Sequence, residues 1–181
     1  MLKIYMIMNK KYLHVGCGDV ILPPPFENLD GRNLPGVQHI GSVFPLPFED
    51  KSFDLVYSSH VLEHFHRKDT LNVLKEWVRV LKDDGILRLS VPSFENLIKI
   101  YELSGSIENV TGPLMGGQTY DTNFHYNVFD KKYLKKLMED AGLEAVHNWD
   151  YRRTIHSNYF DFSQATTCEI MISLNLEGRK K

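Results

Sequence analysis

Tyr12-Leu13-His14-Val15-Gly16-Cys17-Gly18 is a short, mostly apolar run that ends in two glycines around a cysteine. It reads as a buried strand entering a tight turn. Glycine turns the backbone sharply and leaves no side chain between the main chain and a ligand. Four more strands are expected downstream. They are 26–30 stopping at Gly31, 37–40 between Gly36 and Gly41, 53–58, and 86–91 after the turn Asp83-Asp84-Gly85. Helical spacing appears between them. Leu71, Leu74, Trp77, Val78 and Leu81 form one apolar stripe with Asp69 as N-cap. Phe94, Leu97, Ile98 and Tyr101 form a second after Ser93. Leu134, Leu137, Met138 and Ala141 form a third, capped by Asp130 and stopped by Gly142. Two late strands, 143–149 and 167–176, suit an antiparallel, hairpin-like edge.

Strands alternating with helices predict an α/β fold with a mainly parallel sheet covered by helices on both faces. The 181 residues suffice for one domain over 1–181, with residues 11–92 as its cofactor-binding core. The stretch 104–130 lacks clear periodicity through Tyr126 and carries Gly105, Gly112, Gly116 and Gly117. A loop of that length in a compact domain reads as a lid or acceptor wall, or else as an insertion.

Net charge is −2, so no global basic surface points to nucleic acid. No apolar run approaches the roughly 20 residues that span a bilayer. Met1 to Met8 is apolar but short and precedes Asn9-Lys10-Lys11, unlike a cleaved leader. Cys17 and Cys168 make neither a disulfide framework nor a four-ligand zinc site, which suits a reduced, cytoplasmic protein. Oligomeric state is left open.

In an open parallel sheet, ligands bind beyond the carboxyl ends of the strands where strand order reverses. Gly16-Cys17-Gly18 occupies such a place. A dinucleotide fingerprint wants a further glycine where Ile21 stands, and a helix N-terminus facing a pyrophosphate. Pro23-Pro24-Pro25 disfavour that helix. A nucleoside ligand without phosphate does not need it, and S-adenosylmethionine is such a ligand. Asp30, 12 residues after Gly18, can accept hydrogen bonds from ribose hydroxyls, or can simply be a turn aspartate before Gly31.

Further motifs follow in order: Leu46-Pro47-Phe48, Ser52-Phe53-Asp54-Leu55-Val56, His60-Val61-Leu62-Glu63-His64, Arg79-Val80-Leu81-Lys82-Asp83-Asp84-Gly85 and Leu87-Arg88-Leu89-Ser90-Val91-Pro92. With the opening strand, this series resembles the class I S-adenosylmethionine-dependent methyltransferases, in detail the methyltransferase type 11 domain. A looser likeness through Gly116-Gly117-Gln118, 124–130 and 172–177 resembles methyltransferases found among bacterial surface-polysaccharide and glycan biosynthesis proteins. The resemblance implies a Rossmann-like seven-stranded sheet with the last strand antiparallel, S-adenosylmethionine as cofactor and a small-molecule or glycan acceptor. It places Val15, Gly16, Cys17, Gly18 and Asp30 at the cofactor, with Ser42 and Val43 bordering adenine. Departures are His14 where many members carry an acid, Asp19-Val20 where many carry a third glycine, and Ser42 in place of an acid. These departures also admit a domain that binds the cofactor without transferring a methyl group.

Methyl transfer from a sulfonium needs alignment and exclusion of water. A base can help an oxygen acceptor, and histidine titrates near neutrality. Ser58, Ser59 and His60 end the fourth strand, which faces the cofactor's reactive end, so Ser58 and Ser59 are expected at the cofactor and His60 is the first candidate base or acceptor-orienting group, or else a structural histidine of the turn. His125, with Tyr120, Phe124 and Tyr126, is a candidate on the acceptor side. His60 and His64 with Glu63 have the spacing of a metal pair, but no third ligand is evident, and no metal is expected. Tyr151, Arg152, Arg153 and His156 form a further polar cluster that suits an anionic acceptor group or simply surface charge.

Overall fold

In the computed structural model, which describes residues 10–181, the opening strand β1 (Tyr12–Val15) lies inside a seven-stranded sheet. The reading of Met1 to Met8 lies outside the described residues. β2 (Phe26–Asp30) and β3 (His39–Ile40) build the sheet outward on one side of β1. β4 (Phe53–Ser59) and β5 (Leu81–Pro92) build it on the other. These five strands are parallel. β6 (Leu143–Asn148) forms the far edge, and β9 (Ser173–Lys180) runs antiparallel between β5 and β6. A two-stranded ribbon, β7 (Thr166–Thr167) and β8 (Ile170–Met171), stands apart. The fold is the expected Rossmann-like α/β sheet, and its two late strands, β6 and β9, pair antiparallel at one edge as expected, with β9 on the inner side against β5.

Among the described residues four α-helices accompany the sheet: α1 (Thr70–Arg79), α2 (Phe94–Ser104), α3 (Glu108–Met115) and α4 (Lys131–Asp140). Asp130 caps α4 as expected, accepting from the Tyr133 backbone N–H, and Ser93 caps α2 in the same way, accepting from Asn96 N–H. Asp69 does not cap α1: its backbone is already helical and its side chain accepts nothing there. The stripe ending at Leu81 is also shorter than expected. α1 stops at Arg79, and Leu81 pairs with Phe53 as the first residue of β5. Lys82 to Gly85 then bulge out, with Asp84 at φ 61°, before Ile86 resumes the ladder opposite Leu55. On α2, Leu97 and Ile100 face the core, whereas Phe94, Ile98 and Tyr101 are exposed. The expected strand 167–176 is instead the β7–β8 ribbon followed by β9. Strand 37–40 shrinks to two residues.

The two faces of the sheet differ in chemistry. Leu13, Val15, Leu29, Val56, Leu87, Leu89, Leu174 and Leu176 pack with the apolar sides of α1 and α4. Trp77 of α1 is fully buried there and its indole N–H donates to the Val43 carbonyl at 3.0 Å. The opposite face carries Tyr12, Phe26, Leu55, Tyr57 and Ile86 with the buried polar residues His14 and Asn28. The segment 149–165 covers it. Trp149 donates to the Leu89 carbonyl, the Tyr57 hydroxyl donates to Asp161, and Asn175 donates to the Ser163 carbonyl. Proline-rich residues 19–25 replace the helix that a βαβ crossover usually carries there.

Asp54 ties β4 to its neighbours through Lys10 at 2.7 Å and Lys82 at 2.8 Å. Burial works against its ionisation, but these partners and the Lys11 N–H outweigh it and hold its pKa at about 2. The folded pKa is depressed, so the stabilisation is full above the ordinary value of 3.8 and is lost as pH falls through about 2. The lysines are largely solvated, which limits the effect to about 1 kcal/mol. Thermal unfolding from pH 5 to pH 2 is expected to show this loss in the parent chain and not in Asp54→Asn. Parallel pH profiles for the two would refute it.

Candidate functional site

Strand order reverses between β1 and β4, because the chain leaves β1 toward β2 on one side and enters β4 on the other. A cavity of about 410 Å³ opens there beyond the strand ends. His14, Gly16, Cys17, Gly18, Asp19 and Val20 form one wall, and Ser59 and His60 another. Arg32, Tyr120, Phe160, Asp161 and Phe162 complete it. Its size lies in the small-molecule range of roughly 300–1,000 Å³.

The turn after β1 is built as the glycines require. Gly16 has φ 65° and Gly18 φ 55°, both left-handed. A Cβ on Gly16 would stand 2.5 Å from Val61 Cγ2. The Cys17 N–H donates to the Leu29 carbonyl at 3.0 Å, locking the turn to β2. The Cys17 thiol is pushed up to about 12, chiefly by burial, and is inert at neutral pH.

Asp30 ends β2 directly under this turn. One carboxylate oxygen accepts from the Gly18 N–H at 2.8 Å. The other accepts from the Arg32 N–H at 2.9 Å and Nε at 3.0 Å. Burial opposes its ionisation, but the bonds from Arg32 and Gly18 prevail and keep the carboxyl below its usual range. Arg32 therefore lies between Asp30 and the cavity rim, and Tyr120 rests 5.2 Å from the guanidinium. Arg32 is absent from the sequence-based set. Its signal was its position two residues after the carboxylate.

His14 is buried, stacks on Tyr57 with ring centroids 5.1 Å apart, and meets Asn28 Oδ1 through Nδ1 at 3.2 Å. Burial lowers its pKa to about 4, so the ring is neutral. Asn28 Oδ1 also accepts from the Leu22 N–H, which makes His14 Nδ1 the donor and leaves Nε2 as the ring's acceptor.

His60 closes the other wall with a left-handed backbone, φ 55°, and packs on Phe162 with ring centroids 5.1 Å apart. Its Nε2 lies 2.7 Å from Ser173 Oγ, which itself donates to the Phe162 carbonyl at 2.6 Å. His60 Nε2–H is thus the donor to Ser173. Its Nδ1 stands 3.2 Å from Glu63 Oε1. Burial lowers the His60 pKa to about 3, with His125 and His64 adding to the effect. Both nitrogens face protein groups and the ring is a very weak base. Of the roles expected from sequence, the geometry suits the orienting or structural one rather than the general base.

Of the residues expected at the cofactor, Gly16, Cys17, Gly18 and Ser59 line the cavity. Val15 and Ser58 point to the helix-covered side, where Ser58 Oγ donates to the Val15 carbonyl. Ser42 Oγ donates to the Phe44 carbonyl and the Val43 carbonyl accepts from Trp77, and neither residue lines the cavity. His125 also lies outside the lining. Its Nδ1 meets the Pro113 carbonyl at 2.8 Å, and its ring packs edge-on against His64 at 4.7 Å. Tyr126 N–H donates to the Glu63 carbonyl, fastening 116–126 to the turn after β4. The expected long loop contains α3, which periodicity hid because Gly112 and Pro113 interrupt it. Arg152 and Arg153 are exposed and pair with Asp150, as surface charge does.

Glu63 is fully buried, and neither carboxylate oxygen accepts a hydrogen bond among the described residues. Burial pushes its pKa up to about 8. Together with His64 and His125 it forms a cluster whose potential ligand atoms lie within 4.8 Å of one another. The third group that the sequence did not reveal is His125, brought in by the loop.

A family model described as a methyltransferase domain matches residues 27–89. A protein of Encephalitozoon cuniculi, a methyltransferase by name, is 34% identical over 112 residues, covering 59% of this chain and 51% of the relative. The ubiquinone/menaquinone biosynthesis C-methyltransferase UbiE of Shewanella pealeana is 32% identical over 113 residues, covering 56% and 43%. The matches thus span about half the length of these curated relatives. Among solved structures, a SAM-dependent methyltransferase of Thermotoga maritima superposes with TM-score 0.62 at 20% identity over 96% of this chain and 83% of that one. The 1,6-didemethyltoxoflavin-N1-methyltransferase of Burkholderia thailandensis, solved with S-adenosylhomocysteine, gives 0.56 at 14% identity over 99% and 76%. At those identities the likeness is one of fold. Among the described residues no helix is long and apolar enough to cross a membrane.

Proposed function

We propose that this chain is an S-adenosylmethionine-dependent methyltransferase acting on a small-molecule or glycan acceptor. The observation that carries the reading is the left-handed Gly16-Cys17-Gly18 turn, open to a cavity at the strand-order reversal, with the Asp30 carboxylate beneath it. The methyltransferase-domain match and the relatives support the same reading.

The turn admits the nucleoside's close approach, and Asp30 supplies acceptors for the ribose hydroxyls. Arg32 must share or yield its hold on that carboxylate when the ribose arrives. His14 Nε2, a neutral acceptor on the cavity wall, suits the ammonium of the methionyl part in place of the usual acid. S-adenosylmethionine brings an activated methyl group on its sulfonium. The remaining task of the chain is alignment and dryness. His60 and Phe162 provide a stiff wall for that purpose, and the 104–130 segment supplies the acceptor side. The exposed thiol of Cys168 fits a reducing, cytoplasmic setting.

Calorimetry with S-adenosylhomocysteine and with NAD tests the cofactor class. Binding of the former alone is expected; heat with NAD alone would overturn the proposal. Asp30→Ala is expected to weaken S-adenosylhomocysteine binding by about 2–3 kcal/mol, the scale of lost hydrogen bonds to a charged group. Unaltered affinity would reduce Asp30 to a turn residue. Methyl transfer to nucleotide sugars, glycan fragments and quinols, followed with labelled cofactor, then identifies the acceptor. A second reading, cofactor binding without transfer, is favoured by the two engaged nitrogens of His60. Tight binding with no turnover on any acceptor would select it.

A further inference from the structure

We propose that Glu63, His64 and His125 hold a divalent transition-metal ion beside the cofactor cavity. Three independent features meet at this point. Glu63 comes from the turn after β4 with its side chain fully buried and both oxygens without a hydrogen-bond donor among the described residues. A buried polar group left without a donor calls for an unseen partner, and a bound ion would supply one. His64 and His125 each direct Nδ1 at a backbone carbonyl, Phe124 at 3.0 Å and Pro113 at 2.8 Å. A carbonyl can only accept, so each Nδ1 carries the proton and each Nε2 keeps its lone pair. That is the outer-shell arrangement that fixes metal-binding imidazoles.

The distances are close to closure. The ligand atoms lie within 4.8 Å of one another. A tetrahedral ion with bonds of about 2.0–2.2 Å would draw them together to about 3.5 Å. Two imidazoles and one carboxylate select zinc, cobalt or a similar ion over calcium and magnesium, which prefer oxygen alone.

The location gives the ion a task. It would bridge the turn after β4 to the loop bearing His125, 62 positions after Glu63. It would also stand next to His60, whose Nδ1 is 3.2 Å from Glu63 Oε1 and whose ring lines the cavity. Three protein ligands leave a fourth position, suited to an oxygen of the acceptor. That last point rests on the methyltransferase reading; metal binding itself does not.

The full chain, stripped with chelator, is titrated with Zn2+ by calorimetry and with Co2+ by visible absorption. One ion per chain is expected, with an intense cobalt band typical of low coordination. Glu63→Gln, which keeps the side-chain shape, and His125→Ala are each expected to weaken binding about 100-fold or more. His147→Ala, at a solvated histidine on β6, is expected to bind as the parent does. Should His125→Ala not fold, Glu63→Gln alone carries the comparison. Absence of stoichiometric binding, or equal affinity of parent and Glu63→Gln, overturns the proposal. S-adenosylhomocysteine calorimetry on the same stripped protein separates the two readings. Cofactor binding without metal binding rejects only the metal site, and the reverse rejects only the methyltransferase.

Discussion

Gly16→Ala is expected to abolish S-adenosylhomocysteine binding and to lower stability by about 2–4 kcal/mol. Two costs add. A left-handed residue with a Cβ loses about 1–2 kcal/mol at φ 65°. The new methyl would also meet Val61 Cγ2 at 2.5 Å and Cγ1 at 3.2 Å, and Val61 is held in the turn that leads to Glu63. Relief requires the β1 turn or the β4 turn to move, and both border the cavity. Gly18→Ala is the internal comparison. Its φ is also positive, at 55°, but the nearest atom to its Cβ is Arg32 Nη2 at 3.4 Å, an ordinary contact with the tip of a long side chain. Only the backbone cost, about 1–2 kcal/mol, is expected there. Denaturant midpoints and calorimetry measure both. Val61→Ala should recover the steric part in the Gly16→Ala background, as a double-mutant cycle detects. Equal losses at Gly16 and Gly18, with no recovery, would show that packing against Val61 is irrelevant.

Trp149→Ala is expected to cost about 3–5 kcal/mol and to weaken cofactor binding as well. Trp149 is almost fully buried and stands edge-on to Tyr57 with ring centroids 5.9 Å apart. Its indole N–H donates to the Leu89 carbonyl at 2.9 Å, and the Arg88 guanidinium lies 5.3 Å from the ring. It pins the start of the segment that brings Phe160, Asp161 and Phe162 to the cavity. Truncation would leave a large void, strip the indole donor from the Leu89 carbonyl, and loosen the wall against His60. Trp149→Phe keeps much of the volume but not the N–H, and should lose about half as much or less. If Trp149→Ala unfolds at the parent's denaturant midpoint, the segment is held by other contacts.

The sequence made the opening strand, the glycine turn and Asp30 readable because each depends on local chemistry. Apolar alternation and φ-permissive residues act within a few positions. The cap at Asp130 was legible for the same reason. Asp69 was misleading because Thr70 already bonds back to the His66 carbonyl, and the helix begins without a side-chain cap. Exposure of Phe94, Ile98 and Tyr101 was hidden because periodicity marks a stripe without saying which side of it meets the sheet. The meeting of Glu63 with His125 depends on how the 104–130 segment folds back, which no short-range pattern encodes. Ser42 and Val43 were placed by resemblance, whereas here the residues after β3 turn toward Trp77.

Strand β9 sits between β5 and β6, so it is a slat that must be slid into an interior slot. During synthesis, β5 offers an unpaired edge until residues 173–180 have left the ribosome. In that interval β5 can recruit foreign strands, and Lys82, Asp83 and Asp84 charge one end of it against such pairing. The ladders that join β5 to β6 can therefore form only once residues 173–180 are available.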